Sequence, residues 1–276
     1  MDKIETVTIE PPKGFIRLNL KEIWRYRELL YILIWRNLKI RYKQTIVGIG
    51  WVIFQPLFSM IIFTIFFGKL AKISSGDLPY PIFVYAALIF WNYFNAALFG
   101  ANGSLVESQN LIKKIYFPRL IIPLSTAVTP VVDFVLVFII FFGLMAYYQI
   151  TPHFLGIVLV PLLLLNCFMS ATGLGLLFAS VNVRYRDVQI LLTFLLQILF
   201  FITPIVYPIE LVPEAFRWIV NINPIAVTIM VFRSSLFGTS AIDWQLLGIS
   251  LAAGFILLIL GLWYFKRSEQ YFADEL

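Results

Sequence analysis

The chain has 276 residues, of which 61% are hydrophobic and 13% charged, with a mean hydropathy of +0.89. Soluble domains carry about 25% charged residues, so this is an integral membrane protein, read as all-α from its long apolar runs. The net charge of +6 does not point to nucleic acid, because membrane proteins collect Lys and Arg on one side of the bilayer. Cys167 is the lone cysteine and His153 the lone histidine, which excludes a disulfide framework and leaves metal chemistry unsupported.

Residues 1–20 carry mixed charge with Pro11, Pro12 and Gly14. They lack the apolar core and cleavage site of a signal peptide and are expected to be an extended cytoplasmic lead. From residue 20 to 42 the character changes. Trp24 opens the stretch, Tyr31, Trp35, Leu38 and Tyr42 recur at helical spacing, and Arg25, Arg27, Arg36, Lys39, Arg41 and Lys43 supply a basic face. The apolar run 29–35 is too short to cross a bilayer. An amphipathic helix lying in the membrane interface fits the pattern; a helix packed on a protein partner is the alternative. The division expected is 1–45 for lead and interfacial helix, 46–267 for a six-span transmembrane domain, and 268–276 for a cytoplasmic tail.

The first span is expected at 46–67, with Gly50 and Trp51 at its start and Gln55-Pro56 inside it. Proline frees a backbone carbonyl there and the buried Gln needs a partner. Residues 68–80 form an outer loop. The second span, 81–103, carries the cluster Trp91, Asn92, Tyr93, Phe94.

A short polar island follows at 107–119. Asn110, Leu111, Ile112, Lys113 and Lys114 lead to Phe117, Pro118 and Arg119. Leu111, Ile112, Ile115 and Tyr116 can share one helical face, which suits a short helix that touches another protein. A plain charged loop that fixes topology is the blander reading. The third span lies within 120–148, begun by a broken segment at Pro123 and Pro130. Asp133 is the carboxylate placed inside a span, and an intramembrane charge is a functional candidate by default. It either lies near the inner interface or satisfies donors freed near Pro130.

The fourth span is 154–181, where Ala171, Gly175 and Ala179 repeat every four residues as a face for close helix packing. The fifth is 188–206 and the sixth 246–265. Between them, Pro208, Pro213 and Pro224 cut an apolar stretch into pieces 209–222 and 225–237, each short of the ~20 residues a span needs. If one crossed, Lys266 and Arg267 would fall outside. With six spans and both termini inside, 17 of the 21 Lys and Arg are inner and 4 are outer. The pieces are therefore read as a re-entrant outer hairpin, 208–238, turning at Asn223-Pro224 and bordering a pathway, because irregular backbone at membrane depth needs protein or a water-filled cavity beside it.

Together these residues carry a likeness. Gly50-Trp51 with Gln55-Pro56, the Trp91–Phe94 cluster, the 110–119 island, Gly173 with Gly175, the turn 182–187, Thr203-Pro204 with Tyr207-Pro208, Asn223-Pro224 and Arg233 stand in one order. From about residue 29 to 237 the chain resembles the membrane permease of ABC-2 type polysaccharide exporters, the family of O-antigen, capsule and teichoic acid exporters. The resemblance implies a transport subunit in the cytoplasmic membrane that is not itself an enzyme. Two copies would form the channel, and two copies of a separate subunit would bind ATP and Mg. No cofactor is expected here, and no Gly-x-x-x-x-Gly-Lys-Ser/Thr loop is present to cradle ATP. The substrate would be a lipid-linked polysaccharide. The island and the interfacial helix would dock on the ATPase, and the hairpin, with Pro208, Pro213, Asn223, Pro224 and Arg233, would form an outer gate.

Two rivals come from other classes. An ion-driven transporter or channel needs intramembrane ionisable groups, and Asp133 alone is thin support. A membrane glycosyltransferase needs positioned carboxylates or histidines, and no such cluster appears. The charge split generates the first prediction. In whole cells, a cysteine at Ser74 reacts with a membrane-impermeant maleimide and one at Ser108 does not; the reverse pattern inverts the topology.

Overall fold

The computed structural model describes residues 20–43, 48 and 50–272, so the N-terminal lead and the last four residues of the tail lie outside it. Two helices precede the bundle, α1 (Leu20–Arg25) and α2 (Arg27–Lys43). The first span is α3 (Gly50–Phe63), which runs on into a π-helical turn at Thr64–Leu70. Next come α4 (Tyr80–Glu107) and the short α5 (Gln109–Lys114). The third span is α6 (Ile121–Val128) followed by α7 (Pro130–Tyr147), joined at Thr129. Then come α8 (Phe154–Asn182), α9 (Val188–Ile202), α10 (Glu214–Ile222), α11 (Pro224–Phe237) and α12 (Trp244–Ser268).

Five helical segments are long and apolar enough to cross a membrane: 50–70, 80–107, 121–147, 154–182 and 244–271. The expected fifth span differs. Its helix has 15 residues, about 22 Å at 1.5 Å each, against a hydrocarbon core of about 30 Å. It stops at Ile202 because Pro204 disfavours helix at Thr203, whose backbone is extended. Thr203, Pro204, Ile205 and Val206 continue as a buried non-helical turn.

The centre of the bundle is α4, buried on most sides, packed against α8, and α8 against α12. Backbones meet there. A Cβ on Gly261 of α12 would lie 2.2 Å from the Gly173 carbonyl oxygen, and one on Gly173 2.4 Å from the Leu257 backbone. Gly175, from the expected small-residue face, has Ala101 of α4 at 2.6 Å from where its Cβ would stand. Small residues are how transmembrane helices gain van der Waals contact where lipid offers no hydrophobic drive. Phe90, Phe134, Phe141 and Phe232 join α4, α7 and α11 in an aromatic core with ring centroids 4.8 to 6.0 Å apart.

Over the stretch read as a hairpin, α10 and α11 meet at 98°. Pro224 lies at the first position of α11. The Asn223 side chain caps that helix by accepting from Ile225 N at 3.0 Å, and its amide donates to Thr203 Oγ1 at 3.0 Å. Asn166, 12 residues or about 18 Å along α8, donates to the Pro224 carbonyl, to Thr228 and to Ser250. The turn of the hairpin thus reaches mid-bundle and ties α8, α11 and α12 together. At the far end Gly238 closes α11 with φ +65°, where a Cβ would meet His153 Nε2 at 2.5 Å.

Arg233 is buried on α11. Its guanidinium donates to the carbonyls of Phe83, Pro204 and Ile205 at 2.7 to 3.1 Å and lies 3.4 Å from the centroid of the Phe83 ring. It supplies the donors that the turn after α9 would otherwise lack. Replacing Arg233 with Met leaves carbonyls without partners, on the order of 1–3 kcal/mol for each. Arg233→Met should lower the thermal unfolding midpoint in detergent markedly, with Arg233→Lys between it and the parent chain. An unchanged midpoint contradicts this role.

Candidate functional site

A cavity of about 1240 Å³ opens between α3, α4, α7 and α9 and reaches the end of α2. It forms because α3 and α9 stand apart from the rest. Each turns a minority of its residues inward, whereas α4 is buried along its length. Along α4 it runs from Gly100 to Ile89, about 16 Å at 1.5 Å per residue. Pro56 lies inside α3, and both it and Gln55 line the space. Aromatic rings make much of the surface: Trp51, Trp91, Phe99, Phe134, Phe200 and Phe201. Trp91 and Phe200 meet edge to face at 5.4 Å, which fixes the wall between α4 and α9. The polar wall is Gln55, Asn92, Asn95, Thr193 and Gln197.

One end of the cavity carries charge. Asp133, in the first turn of α7, accepts from the Arg41 guanidinium and from the Tyr42 hydroxyl, both at the C-terminal end of α2. The Asp133 side chain is 17% exposed and that of Arg41 41%. Burial, followed by the bond to Asp133, pushes the Tyr42 hydroxyl well above the usual phenol range, so it stays a donor at physiological pH. The partners of Asp133 come from α2 and not from backbone donors freed near Pro130. The carboxylate ties α2 to the base of the third span.

A second, smaller core gathers at this end. Leu33 of α2, Ile112 of α5, Phe117, Leu120, Phe265 and Phe272 pack together. Arg119 donates to the Glu269 carbonyl, and Lys266 pairs with the Glu269 carboxylate at 2.6 Å. Phe117 and Pro118 are therefore anchors of the island. Lys113 and Lys114 are exposed, as is Asn110, and Leu111 is half-buried. The single face expected for Leu111, Ile112, Ile115 and Tyr116 does not form. The helix ends at Lys114, Ile115 is extended, and Ile115 and Tyr116 stand exposed. Ser108 is itself buried, so exposed Lys113 is the sounder labelling position for this end.

The interfacial stretch is two helices broken at Tyr26. Leu33 faces the protein, with Leu30 and Asn37 half-buried beside it. The open side mixes Tyr31, Ile32 and Trp35 with Arg36 and Lys39 and does not set apolar against basic. Lys39 lies 5.7 Å from the Trp35 ring and Arg27 5.7 Å from the Trp24 ring. Stacked cation and aromatic pairs of this kind suit the headgroup region.

The expected gate residues divide. Pro213 is exposed and Pro208 half-buried, while Asn223, Pro224 and Arg233 are buried and hold α11 in place. The more exposed piece is α10, with Phe216 and Trp218 on its surface. The sequence reading passed over Asn95, Thr193 and Gln197. No local signal marks them, since an amide in an apolar helix looks alike whether it faces a cavity or a neighbouring helix.

Comparison with known proteins places the chain. Residues 28–237 match the ABC-2 type transporter family. An O-antigen export system permease protein of Klebsiella pneumoniae, RfbA, is 27% identical over 249 residues, covering 90% of this chain and 95% of the relative. RfbA of Myxococcus xanthus is 28% identical over 266 residues, covering 95% of this chain and all of its own length. The polysialic acid transport protein KpsM of Escherichia coli is 24% identical over 245 residues, covering 85% of this chain and 91% of the relative. With most of its length matched in order and with the helical membrane architecture above, this chain belongs to the ABC-2 type transporter family.

Proposed function

We propose that this chain is the channel-forming permease half of an exporter that moves lipid-linked polysaccharide of the O-antigen kind across the cytoplasmic membrane. Two copies work with two copies of a separate ATP-binding subunit, and both termini are cytoplasmic. The observation that carries the reading is the cavity: a tall, open-sided space walled by aromatic rings and neutral amides, in a chain whose relatives are named for polysaccharide export. Rings present flat apolar surfaces to sugar faces, and amides both donate to and accept from hydroxyls. Teichoic acid and capsule exporters are the nearest alternatives. An ion-driven transporter is disfavoured because Asp133, its best candidate, is bound to Arg41 and Tyr42.

Beside the opening, α3 exposes Phe54, Phe58 and Ile61, and α9 exposes Ile190, Phe194 and Phe201. A second copy set against this side encloses the cavity as a channel. At the opposite edge, α5 with Lys113 and Lys114, and the α2 surface with Arg36 and Lys39, offer the ATPase its docking contacts. Movement of α2 then reaches the cavity through Arg41, Tyr42 and Asp133. At the outer end α10, and not the anchored α11, is the part free to move aside for polymer.

The reading is tested in the host. Deleting the gene should leave undecaprenyl-linked polymer inside the cell and none at the surface, and re-expression with the ATPase should restore export. Unchanged surface polymer after deletion refutes it. The link through Asp133 is tested by a charge swap. Arg41→Asp and Asp133→Arg alone should each lower export severalfold, and the double variant should recover part of it, a coupling of about 1 kcal/mol. Additive losses would leave the pair without a joint role.

A further inference from the structure

We infer that the glycan this cavity carries is uncharged along its length. The inference rests on the export reading above and concerns the chemistry of the same wall. Away from α2 the polar groups of the wall are the carboxamides of Gln55, Asn92, Asn95 and Gln197 and the hydroxyl of Thr193. Among the described residues the charged members of the wall are Arg41 and Asp133, and they neutralise each other at the α2 end. The upper wall therefore offers hydrogen bonds and rings but no fixed positive charge.

That matters because the space lies at membrane depth. A polymer with a carboxylate in every repeat would bring several anions at once into a low-dielectric wall, each losing hydration without an ionic partner. Pores that pass anions carry rings of Arg or Lys at the constriction. A neutral glycan meets no such penalty. Each of its hydroxyls finds a group that can donate or accept, and the two faces of each ring find aromatic surface. A second copy set against the open side brings the same wall, with the same amides and the same Arg41–Asp133 pair.

The test uses cells in which this chain and its ATPase are the sole exporter. They assemble, on the same polyprenyl carrier, either a mannose homopolymer or a polymer with one hexuronate in each repeat. Surface polymer is counted by lectin or antibody staining. The mannose polymer should reach the surface roughly tenfold or more above the acidic one. Gln197 is exposed on the wall and outside the packed core, so Gln197→Arg should accumulate normally and narrow the gap by raising acidic export. Asn95→Lys provides a second placement of the same charge. Equal export of both polymers by the parent chain overturns the inference and leaves the export reading standing. A preference untouched by either variant also overturns it, since selection then lies outside this wall. Export of neither polymer overturns the export reading, and the inference falls with it.

Discussion

Irregular backbone inside a membrane has no water to bond with, and this bundle depends on how it meets that demand. After Ile202 the chain passes through a buried non-helical turn and the short helices α10 and α11 before it reaches α12. Its exposed carbonyls at Pro204 and Ile205 are taken by the Arg233 guanidinium, and its turn at Asn223-Pro224 is held by Asn166, Thr203 and the cap to Ile225. A single cation thus replaces several missing helical donors. With α11 fixed among α4, α8 and α12, the bundle has a rigid half. The other half, α3 and α9, is free to stand away from it, and the cavity is the space between.

The rigid half explains why the polar groups fall where they do. Gly173 and Gly261 let α8 and α12 touch through their backbones, which leaves no room there for a pathway. Helix α2 is attached to the bundle by Leu33 in the small core and by Arg41 and Tyr42 on Asp133. One carboxylate on α7 therefore lines the cavity and also holds the end of α2. A displacement of α2 has a direct mechanical route to the base of the third span.

Much of this was legible in the sequence. The long spans follow from apolar length, the broken stretch between α9 and α12 from three prolines, and the turn at Asn223 from proline's effect on its neighbour. At Thr203 a proline one residue downstream stops α9 earlier than hydropathy suggests, since hydropathy does not register a lost backbone conformation. The pairing of Arg41 with Asp133 spans 92 positions and leaves no periodic trace. Nor does any pattern tell that Asn95 and Gln197 face a cavity while Asn166 and Asn102 are buried against other helices. That distinction is made only when α3 and α9 take their places.

The account stands on the cavity being a water-filled path and not a lipid-filled groove. Cys167 is fully buried, so a cysteine introduced at Gln197 can be read without interference. In the purified permease–ATPase complex in nanodiscs, Gln197→Cys should react rapidly with a charged, water-soluble methanethiosulfonate. It should react more slowly in the presence of a neutral oligosaccharide. Reaction only with a lipid-soluble maleimide, indifferent to sugar, would place this wall in the bilayer and contradict the account.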